Sequence, residues 1–134
     1  MKVISISTNK KDEVMDITDI IESLVRAKHF QDGICSISVL HTTCGVTTAD
    51  LDPGTDQDFL DALRKLLPSI KYRHPHDPSH TPDHILSSLI GSSISVPVAN
   101  GQLVLGMWQR IVLVELDGPR ERQISISFLS EYIS

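Results

Sequence analysis

The chain begins with an apolar, β-branched run, Val3-Ile4-Ser5-Ile6-Ser7, which predicts a strand over 3–7. The period then changes. Ile17, Ile20, Ile21, Leu24 and Val25 recur at helical spacing, and Thr18 or Asp19 is placed to accept hydrogen bonds from the first free amides. Gly33 resets the chain, and 34–43 reads as a strand through Cys35, Ile37, Val39 and Leu40. The turn Asp52-Pro53-Gly54 leads into a second helix from about Thr55, with Phe59, Leu60, Leu63, Leu66 and Leu67 on one side, stopped by Pro68. A polar stretch over 69–79 follows, holding Pro75 and Pro78.

Thr81-Pro82-Asp83 predicts a third helix start, with a hydroxyl cap, proline at the first helical position and an acid in the first turn. Ile85, Leu86, Leu89 and Ile90 give it a buried side, and Gly91 ends it. The last third reads as strands. Runs over 93–99 and 102–105 flank Asn100-Gly101, a strong hairpin signal, and 108–116 and 123–129 form a second pair around Asp117-Gly118-Pro119. Strands adjoin strands and outnumber helices. The expected fold is therefore α+β: an antiparallel, β-sandwich-like single domain over 1–134 with about three helices.

Composition narrows the function classes. With 134 residues and 40% hydrophobic positions, the chain suits one core, and charged residues interrupt every potential membrane-spanning run. A formal net charge of −5 offers no basic surface for phosphodiester backbones, so nucleic acid is not an expected partner, nor is a membrane. Two cysteines do not make a disulfide scaffold, and Met1-Lys2-Val3-Ile4-Ser5 carries no apolar signal core. A reduced, cytoplasmic protein is the expectation.

The chemistry-bearing residues are histidines. Four of the six, His74, His76, His80 and His84, fall within eleven residues. Three imidazoles can hold Zn²⁺ or a similar ion with a position left open, and the bland alternative is a polar loop with solvated rings. His80 and His84 have the spacing of two ligands on one helical face, although Pro82 places His80 ahead of the helix. His41 ends a predicted buried strand, where its ring nitrogens need partners. It reads either as a site residue or as a core histidine tied to a backbone carbonyl. Cys44 reads as a small core residue. Asp50 and Asp52 follow closely, as imidazole-orienting carboxylates or as turn formers. Arg73, Arg120 and Arg122 are candidate anion clamps, and Trp108 is the single tryptophan.

Taken in order, His41-Thr42-Thr43, Asp52-Pro53, Tyr72-Arg73-His74, His84-Ile85, Ser88-Leu89-Ile90-Gly91, Val96-Pro97-Val98, Gly101-Gln102-Leu103, Gly106-Met107-Trp108-Gln109 and Glu115-Leu116-Asp117-Gly118-Pro119-Arg120 form a highly specific set. Over essentially the whole chain this set resembles the YjbQ family, also called secondary thiamine-phosphate synthases. The resemblance implies a compact α+β sandwich, commonly a homotrimer, with a site built on His41, His74 and His84 as ligands of a divalent metal, zinc being the expected ion. It places Asp50 and Gln109 as catalytic positions, and Arg73, Trp108 and Arg120 in binding a small phosphorylated substrate. Where the family usually has an Asn-Glu pair, this chain has Ala49-Asp50. The implied activity joins an aminopyrimidine diphosphate to a thiazole phosphate with loss of pyrophosphate. No Gly-rich phosphate loop or acid-rich Mg²⁺-diphosphate motif accompanies it. A non-catalytic module holding an anion or metabolite in the same histidine pocket is the alternative.

Overall fold

A computed structural model describes residues 1–132, so the last two positions of the expected domain lie outside the described residues. Eight strands and three helices follow one another as β1 (Lys2–Ser7), β2 (Glu13–Asp16), α1 (Thr18–Ala27), β3 (Gly33–Val39), β4 (Cys44–Ala49), α2 (Thr55–Leu66), α3 (Thr81–Ile90), β5 (Ser93–Ala99), β6 (Gln102–Leu103), β7 (Arg110–Glu115) and β8 (Glu121–Ser130), with a 3₁₀ turn at Pro78–His80 just ahead of α3. All pairings are antiparallel. One sheet has the order β1-β8-β3-β5-β6 and the other β2-β7-β4. The α+β expectation holds.

Two apolar layers explain the stacking. Side chains of a strand alternate between faces, so Ile111 and Leu113 of β7 point one way and Val112 and Val114 the other. Ile111 and Leu113 join Ile37, Val39, Val46, Val96, Val98, Ile124 and Ile126 in a core shared by the two sheets and α1. Val112 and Val114, with Leu116 just beyond the strand, meet Leu60 and Leu63 of α2 and Leu86 of α3. The three-stranded sheet is thus covered on both faces. Truncating one of its fully buried leucines, such as Leu113, costs about 2–5 kcal/mol.

The structure corrects several expectations. The predicted strand over 34–43 is really β3 followed by a link, and the chain then enters the other sheet as β4. Strand β2 is too short and polar to show a period. Strands β7 and β8 both form but do not pair, because β7 is central in the three-stranded sheet and β8 lies between β1 and β3. Asp117-Gly118-Pro119 is therefore a crossing between sheets, not a hairpin turn. Asp16, not Thr18 or Asp19, accepts from the first amide of α1, taking Thr18 N–H at 2.9 Å and the Thr18 hydroxyl at 2.6 Å. Thr81 does not cap α3; it is the first helical residue, and its Oγ1 has no partner among the described residues. Leu66 and Leu89, assigned to buried sides, are 67% and 66% exposed.

Candidate functional site

At one end of the sandwich the inward-facing pattern turns from apolar to charged. Along β7 the inward positions run Ile111, Leu113, Glu115, and along β8 they run Arg122, Ile124, Ile126. The two charged side chains meet between the sheets. Arg122 donates through Nε to Glu115 Oε1 at 2.8 Å and through Nη2 to Oε2, with the two side chains 2% and 0% exposed. The same Nη2 reaches the Thr43 carbonyl oxygen at 3.2 Å and Thr43 Oγ1 at 2.9 Å. Glu115 also accepts from the Thr8 hydroxyl at 2.6 Å and from the N–H groups of Leu116 and Asp117. Burial alone would raise the Glu115 pKa, but hydrogen bonds from Arg122, Thr8 and Asp117 outweigh it and hold the carboxyl below its ordinary range.

Residues 40–43 link β3 to β4 across this end of the sandwich. Leu40 N–H reaches the Gln123 carbonyl and Leu116 N–H the Thr43 carbonyl. His41 is thereby set beside the start of β8, where its Nε2 accepts the Gln123 N–H at 2.8 Å. Burial, and then the nearby Arg122 charge, hold the His41 imidazole below its usual pKa, so the ring is neutral with its proton on Nδ1.

Helix α3 and the segment ahead of it supply the opposite wall. His84 Nδ1 lies 3.2 Å from the Thr42 carbonyl oxygen, an atom that only accepts, so Nδ1 carries the proton and the Nε2 lone pair is open. His74 has the reverse arrangement. Its Nδ1 accepts the N–H groups of His76 (3.3 Å) and Asp77 (3.2 Å), leaving the proton on Nε2. The two rings stack, with centroids 5.2 Å apart and planes 9° from parallel. His80 contacts Asp77 at 3.3 Å.

An open cleft of about 640 Å³ lies between these walls, lined by His41, His74, His80, His84, Arg120 and Arg122 among others. A second depression of about 600 Å³ shares Thr42, His74 and His84 with it and adds Arg73, Thr81 and Ser88. Arg120 is tied to Asp117 through the carbonyl oxygen at 2.8 Å and the carboxylate at 3.0 Å. The acids Asp117 and Glu121 also line the cleft.

The structure therefore brings His41, His74 and His84 together, with Arg120 in the same cleft and Arg73 beside it. It does not bring in the remaining expected positions. Asp50 accepts the Asp52 N–H at 3.1 Å, the turn-forming alternative. Gln109 clamps its own loop, taking Gly106 N–H at 2.9 Å and donating to Thr48 Oγ1 at 3.0 Å. Trp108, 68% exposed, stands on that loop and does not line the cleft. Burial pushes the Cys35 and Cys44 thiols up to about 11 and 12, so neither supplies a thiolate near neutral pH. Sequence reading passed over Glu115, offered Arg122 as one of three candidate anion clamps, and left His80 without a secure role. A charged residue at the inward parity of an otherwise apolar strand is the signal that points to the first two.

A metal ligand must present an unprotonated nitrogen. His84 Nε2 does so, while His41 and His74 spend their lone pairs on backbone amides. Among the described residues, no group of three or more His, Cys, Asp or Glu side chains stands in a metal-holding arrangement. As placed, the three rings do not fit a three-imidazole metal centre. Two of them, His41 and His74, offer a free N–H, and the third, His84, an open lone pair.

The fold and the cleft together define a class: a small two-sheet α+β domain with a histidine- and arginine-lined cleft where the chain crosses between sheets. The chain belongs to the YjbQ family, whose profile, described as UPF0047 protein YjbQ-like, matches residues 2–131. It is 39% identical over 131 residues to UPF0047 protein Rv2556c of Mycobacterium tuberculosis, covering 95% of this chain and 96% of that one. It is 35% identical over 130 residues to UPF0047 protein YugU of Bacillus subtilis, covering 96% and 98%. Among solved structures, a YbjQ-like protein of unknown function from Sulfolobus solfataricus P2 superposes with a TM-score of 0.90 at 36% identity, covering 97% of this chain and 96% of that one. No helix among the described residues is long and apolar enough to cross a membrane.

Proposed function

We propose that this protein binds a small phosphorylated metabolite in the histidine–arginine cleft and acts on it through imidazole acid–base chemistry. The observation that carries the reading is the convergence, in one open cleft, of rings from a strand link, a polar segment and a helix start, each with its ring proton fixed by a backbone partner. Two protonated nitrogens, on His41 and His74, are donors for phosphoryl oxygens. The open lone pair of His84 is a base for a hydroxyl or ammonium proton. Arg120 and Arg73 lie where they would neutralise an anionic substrate or leaving group. A thiamine-phosphate synthase-like condensation that expels pyrophosphate is the specific activity within this class. In the binding-module alternative, the same donors hold the metabolite without turning it over.

The test is a ³¹P NMR titration of tag-free protein with inorganic pyrophosphate. Saturable binding, weakened at least tenfold in His74→Ala, is expected. No binding up to millimolar concentration would contradict the reading.

One observation favours a second reading: the His84 tautomer, with Nδ1–H on a carbonyl and Nε2 open, is the one that metal-ligating histidines commonly adopt. A divalent ion, zinc first, would then need His41 and His74 to release their backbone amides. Stoichiometric metal in tag-free protein, lost in His84→Ala, would establish it; near-zero metal is what the anion reading expects. For assembly we propose a homotrimer, supported by exposed Leu66, Leu89, Met107 and Trp108, and a monomer by sedimentation at micromolar concentration would overturn that.

A further inference from the structure

Arg122 donates from Nε and Nη2 to Glu115 and Thr43, but its Nη1 makes no hydrogen bond among the described residues. Nor is Nη1 sealed in the protein. The single buried side-chain nitrogen or oxygen without a partner among those residues is Thr81 Oγ1. An unbonded nitrogen that is not sealed must reach a surface, and the surface that Arg122 lines is the histidine cleft.

From this geometry we infer that Arg122 is the principal anion-contacting residue of the cleft, with the two N–H groups of Nη1 forming its floor and receiving a phosphoryl group of the substrate. The inference rests on the phosphorylated-metabolite reading above and adds a residue and a specificity to it. Glu115 acts here as a positioning residue. By holding Nε and Nη2 it fixes the plane of the guanidinium and leaves Nη1 free for a ligand. Thr43 completes the clamp, and His41, seated on the N–H of the next residue, lies alongside. Arg120 is the contrast. Its side chain is 52% exposed and bonded to Asp117, so binding an anion would require it to be redirected.

A fixed, planar fork discriminates among anions by geometry in a way that a lysine in the same place would not. Arg122→Lys keeps the charge and loses the clamp, so it separates orientation from simple attraction. The expected preference is for a tetrahedral phosphoryl oxyanion over a spherical halide, lost in Arg122→Lys.

The experiment titrates wild-type protein, uniformly labelled with ¹⁵N, with inorganic pyrophosphate and separately with chloride, following the Arg122 side-chain ¹⁵N–¹H resonances assigned through bonds. Pyrophosphate should shift and sharpen the Arg122 signals with the same saturation curve as the ³¹P signal, and chloride should not. Arg122→Lys should bind pyrophosphate at least tenfold more weakly. Saturable ³¹P binding with the Arg122 signals unmoved would overturn this inference and leave the phosphorylated-metabolite reading standing. No ³¹P binding by wild-type protein would overturn both. The resonance measurement needs no variant, so a poorly folding Arg122→Lys does not remove the test.

Discussion

The two walls of the cleft are built in different ways. On one wall, His41 and Arg122 are held by partners far away in sequence: the Gln123 amide is 82 residues from His41, and Thr43 is 79 from Arg122. On the other wall, His74 and His80 are held by neighbours two or three residues off, His76 and Asp77. The first wall is part of the sandwich and cannot shift without disturbing β7 and β8. The second depends on local turns in the polar stretch before α3, apart from His84, which reaches across to Thr42. Changes in the first wall should therefore affect folding and binding together, and changes in the second should affect binding alone.

The largest expected effect follows from Glu115→Ala. It leaves Arg122 buried and unpaired, and removing one partner of a buried pair costs about 3–5 kcal/mol. Urea denaturation measures this. A loss below about 1 kcal/mol would erase the distinction between the walls. Arg64→Ala comes next. Arg64 joins α2 to Asp12, to the buried Asp83 beside His84 and to the Leu116 carbonyl, and its removal should cost about 2 kcal/mol, since Lys11 remains as a partner for Asp83.

His74→Ala sharpens the comparison from the other side. A stability change within about 0.5 kcal/mol should accompany at least a tenfold loss of pyrophosphate affinity. A smaller effect is a pH dependence. In the unfolded chain His41 titrates near 6.5, whereas in the fold its pKa is lowered, so between those values the unfolded state binds more protons. The stability that neutral His41 contributes is whole above about pH 6.5 and is lost as pH falls toward the folded value. His41→Gln, which keeps an acceptor for the Gln123 amide, should flatten that part of the melting-temperature profile. A variant profile identical to wild type would contradict the assignment.

Much of this was legible in the chain. The helical spacing of Ile17, Ile21 and Val25, the Asn100-Gly101 turn and the proline at the start of α3 located their elements, because in each case local propensity and burial agree. The sheet partners were not legible. Strand β7 is apolar on both faces, and nothing in its own sequence says that it sits between β2 and β4 and not beside β8. The ordered motifs placed His41, His74 and His84 in one site. Asp50 and Gln109 lie away from the cleft for a physical reason: polar side chains beside a turn find backbone and loop partners close by. Arg122 and Glu115 stand out as charged residues at inward positions only once the strand faces are known. Their pairing depends on how two sheets face each other, which no local pattern specifies.

The most direct test of the central claim is a crystal structure of the tag-free protein soaked with pyrophosphate, paired with elemental analysis of the same preparation. The account predicts a phosphoryl group within hydrogen-bond distance of Arg122 Nη1 and His41 Nδ1, with metal far below one ion per chain. An ion ligated by His41, His74 and His84, or a cleft without the anion at saturating pyrophosphate, would contradict it.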